Sequence, residues 1–233
     1  MRVTIHQPQY LPWVGLFDKI DRADCFVLLD TVQFTKHDWQ NRNRIKTAAG
    51  PKWLTVPVRQ RLGQSMAEVT IDNGVPWARR HLQALTSAYG RAPFFAAHRP
   101  FFEALYAGPW ERLVALNLEA FRYLAGALGV RAKTVLASSL DAPGTATERL
   151  VAICRAVGAD TYVAGAGGHG YLDGRALAAA GIAVEFQEFA CPVYPQRFGG
   201  FEPNLSVVDL LFNCGGESLA VLRRARGAAL TAR

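Results

Sequence analysis

The residues HQPQYLPW, at positions 6–13, carry side chains suited to acid–base chemistry close to the start of the chain. They directly follow residues 2–5, which predict a short strand. Because positions 8 and 12 are proline, the segment cannot continue as a helix. Histidine titrates near neutral pH, so His6 is a candidate general base or phosphate contact, and a merely hydrogen-bonded loop histidine is the alternative. The candidate ligand contacts beside it are Gln7, Gln9, Tyr10 and Trp13.

A second polar segment, residues 30–46, mixes amides, aromatic rings and charges of both signs. Arginine binds phosphate or carboxylate through paired hydrogen bonds, and amides recognise hydroxyl and amide groups. The segment therefore favours recognition of a polar small ligand. A solvated loop, or an RNA surface with bases stacked on Trp39 and Phe34, is the alternative. Its candidate residues are Asp30, Gln33, Lys36, Asp38, Trp39, Asn41, Arg42, Asn43, Arg44 and Lys46.

A third segment, GAGGHGYLDG at positions 165–174, lies between a predicted strand and a predicted helix. Its loose glycine pattern could let a phosphate approach the N-terminus of that helix, although glycine also serves tight turns. The acidic residue that would support dinucleotide binding is missing at the expected distance. The candidate contacts here are Gly167, Gly168 and Tyr171.

A fourth segment begins at position 194 and leads into an amphipathic stretch, residues 205–213, that predicts a helix with Asn204 as its N-cap. Asp209 lies on one face of this helix. We expect it either to pair with an arginine or lysine of residues 30–46 or to form a structural salt bridge. The other candidate contacts in this segment are Tyr194, Gln196 and Asn204.

Several common kinds of site have no sequence signal. The four cysteines are scattered without CxxC pairs or nearby histidines, which argues against a structural zinc site and a disulfide framework. Cys214 lacks an adjacent cation that would activate a thiolate. No Ser-His-Asp order, HExxH, Walker A or nucleophile-elbow pattern is present. We therefore expect no metal ligands, and no particular cofactor is indicated.

The composition is that of a globular protein, with 233 residues, half of them hydrophobic, and a formal net charge of +7. A basic balance suits phosphorylated or nucleotide-bearing ligands, nucleic acid or an acidic membrane surface, and charge alone does not choose among them. No signal peptide and no apolar run of bilayer length is apparent. We expect a cytoplasmic protein with a small-molecule substrate.

The order of elements predicts the fold class. Residues 2–34 read as strand, polar loop, short helix and buried strand, which is a βαβ unit. An alternating stretch around positions 62–64 predicts a hairpin, and residues 76–130 predict two or three helices. Strands and helices alternate again from position 133. In this part of the chain, residues 145–158 predict a helix that begins with a threonine cap. We expect a single α/β domain: a Rossmann-like, mostly parallel sheet with helices on both faces and a helical insert at about 76–130.

Four stretches together give the sequence its resemblance to the WbqC-like protein family: IHQPQYLPWVGLFDKI; FVLLDTVQFTKHDWQNRNRIKT with WLTVPV; TYVAGAGGHGYLD; and YPQRFGGFEPNLSVVDLLFNCG. Members are associated with bacterial O-antigen and other surface-polysaccharide clusters. The resemblance implies a cytoplasmic role in building an unusual sugar, with transfer of glycine or a related acyl group onto an amino sugar as a proposed activity. His169 departs from the expected pattern, so no catalytic role is carried over to it.

A transferase of this kind needs a base, donors for a developing oxyanion and a cradle for a diphosphate. Our hypothesis makes His6 the base, oriented by Asp30 or Asp38. Positioning would come from Gln7, Gln9 and Asn43, and phosphate or donor carboxylate would be held by Arg42, Arg44 and Lys46.

Two other functions stay open. One is a nucleotidylyltransferase, although His6 has no second histidine at the required spacing. The other is a non-catalytic protein that presents a sugar precursor to a partner enzyme. A single cleft lined by His6, Asp30, Arg42, Tyr171 and Asp209 would favour an enzyme, and dispersal of these residues would favour the binding protein.

Overall fold

The computed structural model describes residues 1–231, with side chains as far as residue 226. In chain order its helices and strands are β1 (Arg2–His6), α1 (Val14–Ile20), β2 (Cys25–Leu28), β3 (Arg42–Thr47), β4 (Gly50–Thr55), β5 (Val58–Arg59), β6 (Thr70–Ile71), α2 (Trp77–Tyr89), α3 (Phe95–Ala107), α4 (Leu113–Leu128), β7 (Lys133–Leu136), α5 (Ala146–Val157), β8 (Thr161–Ala164), α6 (Gly174–Ala179), β9 (Ala183–Phe186), α7 (Val207–Cys214) and α8 (Ser218–Thr231). Among the described residues, no helix combines the length and apolar character needed to cross a bilayer.

The central sheet has five parallel strands in the order β7-β2-β1-β8-β9. The chain builds outward from β1 to β2 and β7, then crosses over to β8 and β9 on the other side of β1. This reversal of direction defines the switch point of a doubly wound fold, where ligands usually bind beyond the carboxyl ends of the strands. The predicted Rossmann-like α/β class is confirmed.

Helices cover both faces of the sheet, as predicted. Successive side chains of a strand point to opposite faces. Val3 and Val27 join an apolar cluster with residues of α5 and α6, whereas Phe26 joins a second cluster with residues of α1 and α4. In that second cluster the Phe26 and Phe121 rings lie with their centroids 5.1 Å apart. Both faces of β2 are therefore covered by apolar side chains, which explains the continuous apolar sequence of this strand.

The segment predicted to be helical folds as the three helices α2, α3 and α4. Their buried side chains belong to the same apolar cluster as those of α1 and α7, so the helices extend the layer that covers one face of the sheet. Pro100 lies inside α3, in its second turn, where proline removes the main-chain hydrogen bond to the carbonyl of Ala96.

The polar stretch before residue 56 contains a hairpin that the sequence did not reveal. Strands β3 and β4 pair antiparallel from Arg42↔Thr55 to Thr47↔Gly50. In β3 the buried positions include Asn43 and Ile45, so a polar residue occupies an inward position and hides the alternation. The hairpin predicted around positions 62–64 is reduced to the two-residue strands β5 and β6.

Two helix starts also differ from the predictions. The helix predicted at 205–213 is α7, and its N-cap is Ser206, whose hydroxyl accepts a hydrogen bond from the Val208 N–H. Asn204 instead has a positive φ of 57° and precedes the cap. Thr145 is the N-cap residue of α5 as predicted, but its side chain makes no capping hydrogen bond. The second difference matters for the site.

Candidate functional site

A cavity of about 720 Å³ lies at the carboxyl ends of β1 and β2, against the start of α5. It collects eight of the residues predicted from the sequence: His6, Gln7, Gln9, Trp13, Gln33, Asp38, Trp39 and Tyr171. Further lining residues that the sequence did not suggest include Thr31, Gln40, Gly144, Thr145, Ala146 and Arg149. Its volume is in the range of small-molecule and cofactor sites.

Two strands separate beneath this region. Strand β1 pairs with β2 as far as His6↔Leu28, but with β8 only at Arg2↔Thr161 and Val3↔Tyr162. Beyond Val3 the contact between β1 and β8 is made by a side chain, because the Thr4 hydroxyl donates a hydrogen bond to the Val163 carbonyl at 2.8 Å. Opening between β1 and β8 creates the crevice expected at the switch point of such a sheet.

His6 ends β1 and is held as a neutral imidazole. Its Nδ1 lies 3.0 Å from the Gln7 carbonyl oxygen, and a carbonyl only accepts, so Nδ1 carries the hydrogen and Nε2 is left as an acceptor. Burial, with the nearby charge of Lys19, lowers the pKa of His6 to about 3. The side chain therefore offers a lone pair at neutral pH.

The two carboxylates expected to orient His6 have other partners. Asp30 is 4 % exposed and accepts a hydrogen bond from the Ser138 N–H at 2.9 Å. Asp38 lines the cavity, but its carboxylate accepts from the Trp39 N–H at 2.7 Å. Neither is hydrogen-bonded to His6. The expected orienting role of these carboxylates is thus corrected: the main-chain carbonyl of Gln7 fixes the imidazole.

Lys19 is a buried amine that the sequence analysis missed. It is 3 % exposed, and its Nζ donates to the Ile5 carbonyl at 3.3 Å, in the gap between β1 and β8. Its Nζ also lies 4.0 Å from where a Cβ on Gly165, just after β8, would stand. Burial lowers the pKa of Lys19 to about 7. The only sequence signal would have been a lysine on a helix that is buried all round.

We expect Lys19→Met to flatten the pH dependence of stability above pH 7. Between its folded pKa of about 7 and its ordinary value of 10.5, the unfolded chain binds more protons, so the wild-type free energy of unfolding rises with pH. One proton corresponds to about 1.4 kcal/mol per pH unit, so the variant should lose about 2 kcal/mol of that rise between pH 7.5 and 9.5. Urea unfolding at several pH values measures it, with the exposed Lys36→Met as control. Equal slopes for Lys19→Met and wild type would contradict the assignment.

The start of α5 presents uncapped backbone N–H groups at the cavity. Gly144, Thr145 and Ala146 all line it, and the Thr145 side chain leaves the first turn uncapped. Ala146 has a φ of +46°, a left-handed conformation that is strained for alanine. Free N–H groups and the helix dipole together attract anions.

Arg149, one turn into α5, adds a cation to the same wall. Its Nη2 donates to the Thr31 hydroxyl at 2.6 Å, which directs the guanidinium towards the carboxyl end of β2. Its Nε is buried and has no hydrogen-bond partner in the structure. The cavity therefore combines a helix N-terminus, a guanidinium and a neutral imidazole.

The glycine-rich segment does not form the expected phosphate cradle. Residues Ala166–Gly170 form a 3₁₀ turn, and α6 is short and already capped by the Asp173 carboxylate, which accepts from the N–H groups of Arg175 and Ala176 at 2.9 and 3.1 Å. That carboxylate occupies the position an anion would take. Gly168 is closely packed, since a Cβ there would lie 2.9 Å from Leu172 Cδ1. Tyr171, 61 % exposed, is the residue of this segment that reaches the cavity.

Most other candidates of residues 30–46 stabilise the hairpin β3–β4. The buried Asn43 donates to the Leu11 carbonyl at 2.7 Å, and Asn41 donates to the Val56 carbonyl at 2.9 Å. The Arg42 guanidinium lies 4.4 Å from the centre of the Trp53 ring. Lys36 is exposed. Their density reflects a polar inward face of the hairpin as much as ligand recognition.

Tyr10 lies in the core, away from the cavity. It is fully buried, and its hydroxyl lies 2.6 Å from the Tyr106 hydroxyl and 2.8 Å from His81 Nδ1. Burial lowers the pKa of His81 to about 4, so its ring is neutral and able to accept from a hydroxyl. This chain of polar groups joins the N-terminal loop to α2 and α3.

Asp209 forms a second buried network. Its carboxylate accepts from the hydroxyls of Tyr89 and Tyr194, both at 2.8 Å, and from the Gln196 amide at 2.9 Å. Burial is the main cause that raises its pKa, and these hydrogen bonds oppose the rise. The expected pairing with a cation is indirect, because Lys46 bonds to Gln196 Oε1 at 3.1 Å and to the Gly199 and Gly200 carbonyls. These contacts of Asp209 and Lys46 with Tyr194, Gln196, Gly199 and Gly200 thus anchor residues 187–206, the loop between β9 and α7.

Of the five residues whose convergence would favour an enzyme, His6 and Tyr171 line the cavity, and Asp30, Arg42 and Asp209 do not. Three of the five are thus dispersed, which by that criterion favours the binding protein over an enzyme. The candidate site is smaller than the sequence suggested and is centred on the start of α5. Within the part of the chain that is described, no group of three or more His, Cys, Asp or Glu side chains is arranged to hold a metal ion.

Comparison with known proteins gives a family. The profile of the WbqC-like protein family matches residues 7–221, starting directly after His6. The "Uncharacterized protein Rv1507c" of Mycobacterium tuberculosis is 39% identical over 232 residues, covering 97% of this chain and 99% of that protein. No solved structure matches. This match covers four of the five strands of the central sheet and most of the residues that line the cavity, and the chain belongs to the WbqC-like protein family.

Proposed function

We propose that the protein is a transferase that moves an acyl or aminoacyl group, such as glycyl, onto the amino group of an amino sugar or nucleotide-linked amino sugar. Its place is in the synthesis of bacterial surface polysaccharide, as the family resemblance implies. One observation carries the proposal: a neutral imidazole and an uncapped helix N-terminus with Arg149 line the same cavity.

The chemistry asked of His6 is modest. The amine nitrogen attacks the carbonyl carbon of an activated acyl donor, an N–C bond forms, and the bond from carbon to the leaving group breaks. The proton lost by the amine passes to His6 Nε2 and then to the leaving group. His6 is poised to accept because Nδ1–H is fixed on Gln7 and Nε2 is bare.

The low pKa of His6 makes it a weak base in the ligand-free protein. We propose that binding of the substrate raises this pKa. An anionic diphosphate bound at the start of α5 stabilises the imidazolium and raises the pKa of His6 towards its ordinary value. Base strength would then appear only in the loaded site, which protects a bound activated donor from premature attack by water.

The start of α5 and Arg149, which we call the anion subsite, supply a test of the proposal. We expect Arg149→Ala to weaken binding of nucleoside diphosphates about tenfold or more, because one charge-assisted contact contributes on the order of 1.5–3 kcal/mol. Arg155→Ala is the matched control, since Arg155 is an exposed arginine on the same helix. Thermal shift measures the effect across nucleotide sugars, free nucleotides, acyl-CoA thioesters and amino acids with ATP.

The panel also separates the alternatives. Stabilisation by an amino-sugar nucleotide that is lost in Arg149→Ala supports the proposed substrate class and the anion subsite; the transfer assay in the Discussion then separates the transferase from the precursor-presenting protein. Stabilisation by ATP alone would favour nucleotidyl transfer. No stabilisation by any of these ligands would overturn the proposed substrate class, for the transferase and for the precursor-presenting protein alike.

A further inference from the structure

A second cavity adjoins the first. It has a volume of about 410 Å³ and is lined by Gln9, Trp13, Trp39, Arg44 and Asn204. Gln9, Trp13 and Trp39 also line the larger cavity, so the two spaces share one wall. Arg44 and Asn204 line the smaller cavity and not the larger one.

The hydrogen bonds of this wall leave donors free. Gln9 Oε1 accepts from the Trp13 main-chain N–H, and Asn204 Oδ1 accepts from the Trp13 indole N–H, both at 3.3 Å. Since both oxygens are engaged with Trp13, the amide NH₂ groups of Gln9 and Asn204 remain for a ligand. The orientation of Trp13 is further fixed by an edge contact with Phe189, with ring centroids 5.0 Å apart.

Arg44 adds a cation with spare donors. It pairs with Glu202 at 3.5 Å, and its side chain is only 27 % exposed. Its Nε is buried and has no hydrogen-bond partner in the structure. One long ion pair uses little of the five-donor capacity of a guanidinium.

This set of groups matches a sugar ring. Indole rings carry a negative face that attracts the C–H groups of a pyranose, and amide and guanidinium donors suit its hydroxyl oxygens. Trp39 is itself held against Trp53, with ring centroids 5.3 Å apart, so the aromatic wall is pre-formed. A nucleobase would stack equally well, but it has fewer acceptors to satisfy three separate donor groups.

We propose that the smaller cavity is a carbohydrate subsite that binds the pyranose ring of a nucleotide-linked sugar whose diphosphate lies in the larger cavity. The inference rests on the proposed function for the location of the diphosphate. The shared wall of Gln9, Trp13 and Trp39 then lies where the sugar joins the phosphate, and His6 lines the larger cavity together with these three residues.

Calorimetric titration of the whole chain with UDP and with UDP-N-acetylglucosamine, and with the corresponding dTDP pair, tests the subsite. We expect the nucleotide sugar to bind at least tenfold more tightly than its nucleoside diphosphate. Asn204→Gly and Arg44→Ala should each remove most of that difference and leave nucleoside diphosphate binding unchanged. Glycine is chosen at 204 because the φ of +57° would strain alanine. Gln60→Ala, an exposed amide elsewhere, is the control.

The outcomes distinguish the two proposals. Equal affinity for nucleoside diphosphate and nucleotide sugar in wild type, or a difference that survives both variants, would overturn the carbohydrate subsite and leave the anion subsite intact. Failure of any nucleoside diphosphate to bind would instead contradict the proposed function. Loss of all binding in Asn204→Gly with normal thermal stability would also overturn the subsite, because that residue would then serve the whole ligand.

Discussion

Turnover of His6→Gln is expected to fall by about 10²- to 10⁴-fold at saturating substrate, the usual contribution of a general base. Glutamine keeps a polar side chain of similar reach, but its amide cannot take up a proton. The Michaelis constant for the nucleotide sugar should change little, because the anion subsite at α5 and the shared wall with Trp13 and Trp39 are untouched.

Stability separates chemistry from folding in this variant. His6 is neutral in the folded protein and its hydrogen bond is to a main-chain carbonyl of the next residue, so few distant contacts depend on it. We expect the melting temperature of His6→Gln to lie within a few degrees of wild type, as for most substitutions that break no buried network. Full turnover in His6→Gln would remove its central role, and a fall in affinity alone would make it a binding residue.

Asp209→Ala is expected to lower the free energy of unfolding by about 3–5 kcal/mol, a large part of the stability of an ordinary domain. The substitution removes the acceptor shared by Tyr89, Tyr194 and Gln196 and leaves buried donors unpaired. It also opens a gap beside α7, where Asp209 is fully buried. Urea unfolding at pH 7 measures the loss.

A double-mutant cycle identifies the network as the cause. Tyr194→Phe removes one donor and should cost less than Asp209→Ala, and the two substitutions together should cost clearly less than the sum of their separate effects. Asp141→Ala, at an exposed position, is the control for loss of a carboxylate. A cost for Asp209→Ala close to that of the control would mean that the network contributes no stability.

The parts of the fold that could be predicted from the sequence are those with a regular spacing of hydrophobic residues or with a continuous run of them. Such patterns predict the apolar strand β2, the three helices from Trp77 to Leu128 and the alternation of strand and helix after Lys133. The hairpin β3–β4 was not predicted because Asn43 points inward, where its amide donates to the Leu11 carbonyl. A polar residue at an inward position defeats a rule based on hydrophobic alternation.

The candidate site was predictable where chemistry and position coincide. His6 and Gln7 follow a buried strand in a βαβ unit, and such strand ends converge in parallel sheets. Arg149 and Lys19 were not predictable, because a lysine or arginine on a helix usually lies on a solvated face. Only the tertiary structure distinguishes them. Arg149 lines the cavity at the start of α5, and Lys19 bonds to the Ile5 carbonyl beyond the point where β1 and β8 stop pairing.

The density of polar residues at 30–46 was misleading for a physical reason. Buried amides and charged side chains must find partners, so a hairpin that packs polar groups inward looks like a ligand site in sequence. Asp30 and Asn41 have protein partners within 3 Å and serve the fold. Asp38 and Trp39, in the same stretch, line the cavity instead.

The most direct test of the proposed transfer is the mass of a nucleotide-linked amino sugar after incubation with the protein and a panel of activated acyl and aminoacyl donors. The donors are acyl-CoA thioesters, glycyl thioesters and aminoacyl adenylates. We expect one donor class to add its acyl mass to the sugar in wild type, with the rate reduced at least a hundredfold in His6→Gln. A sugar that binds in the cavity but gains no mass with any of these donors would contradict the transferase and identify a protein that binds and presents its ligand.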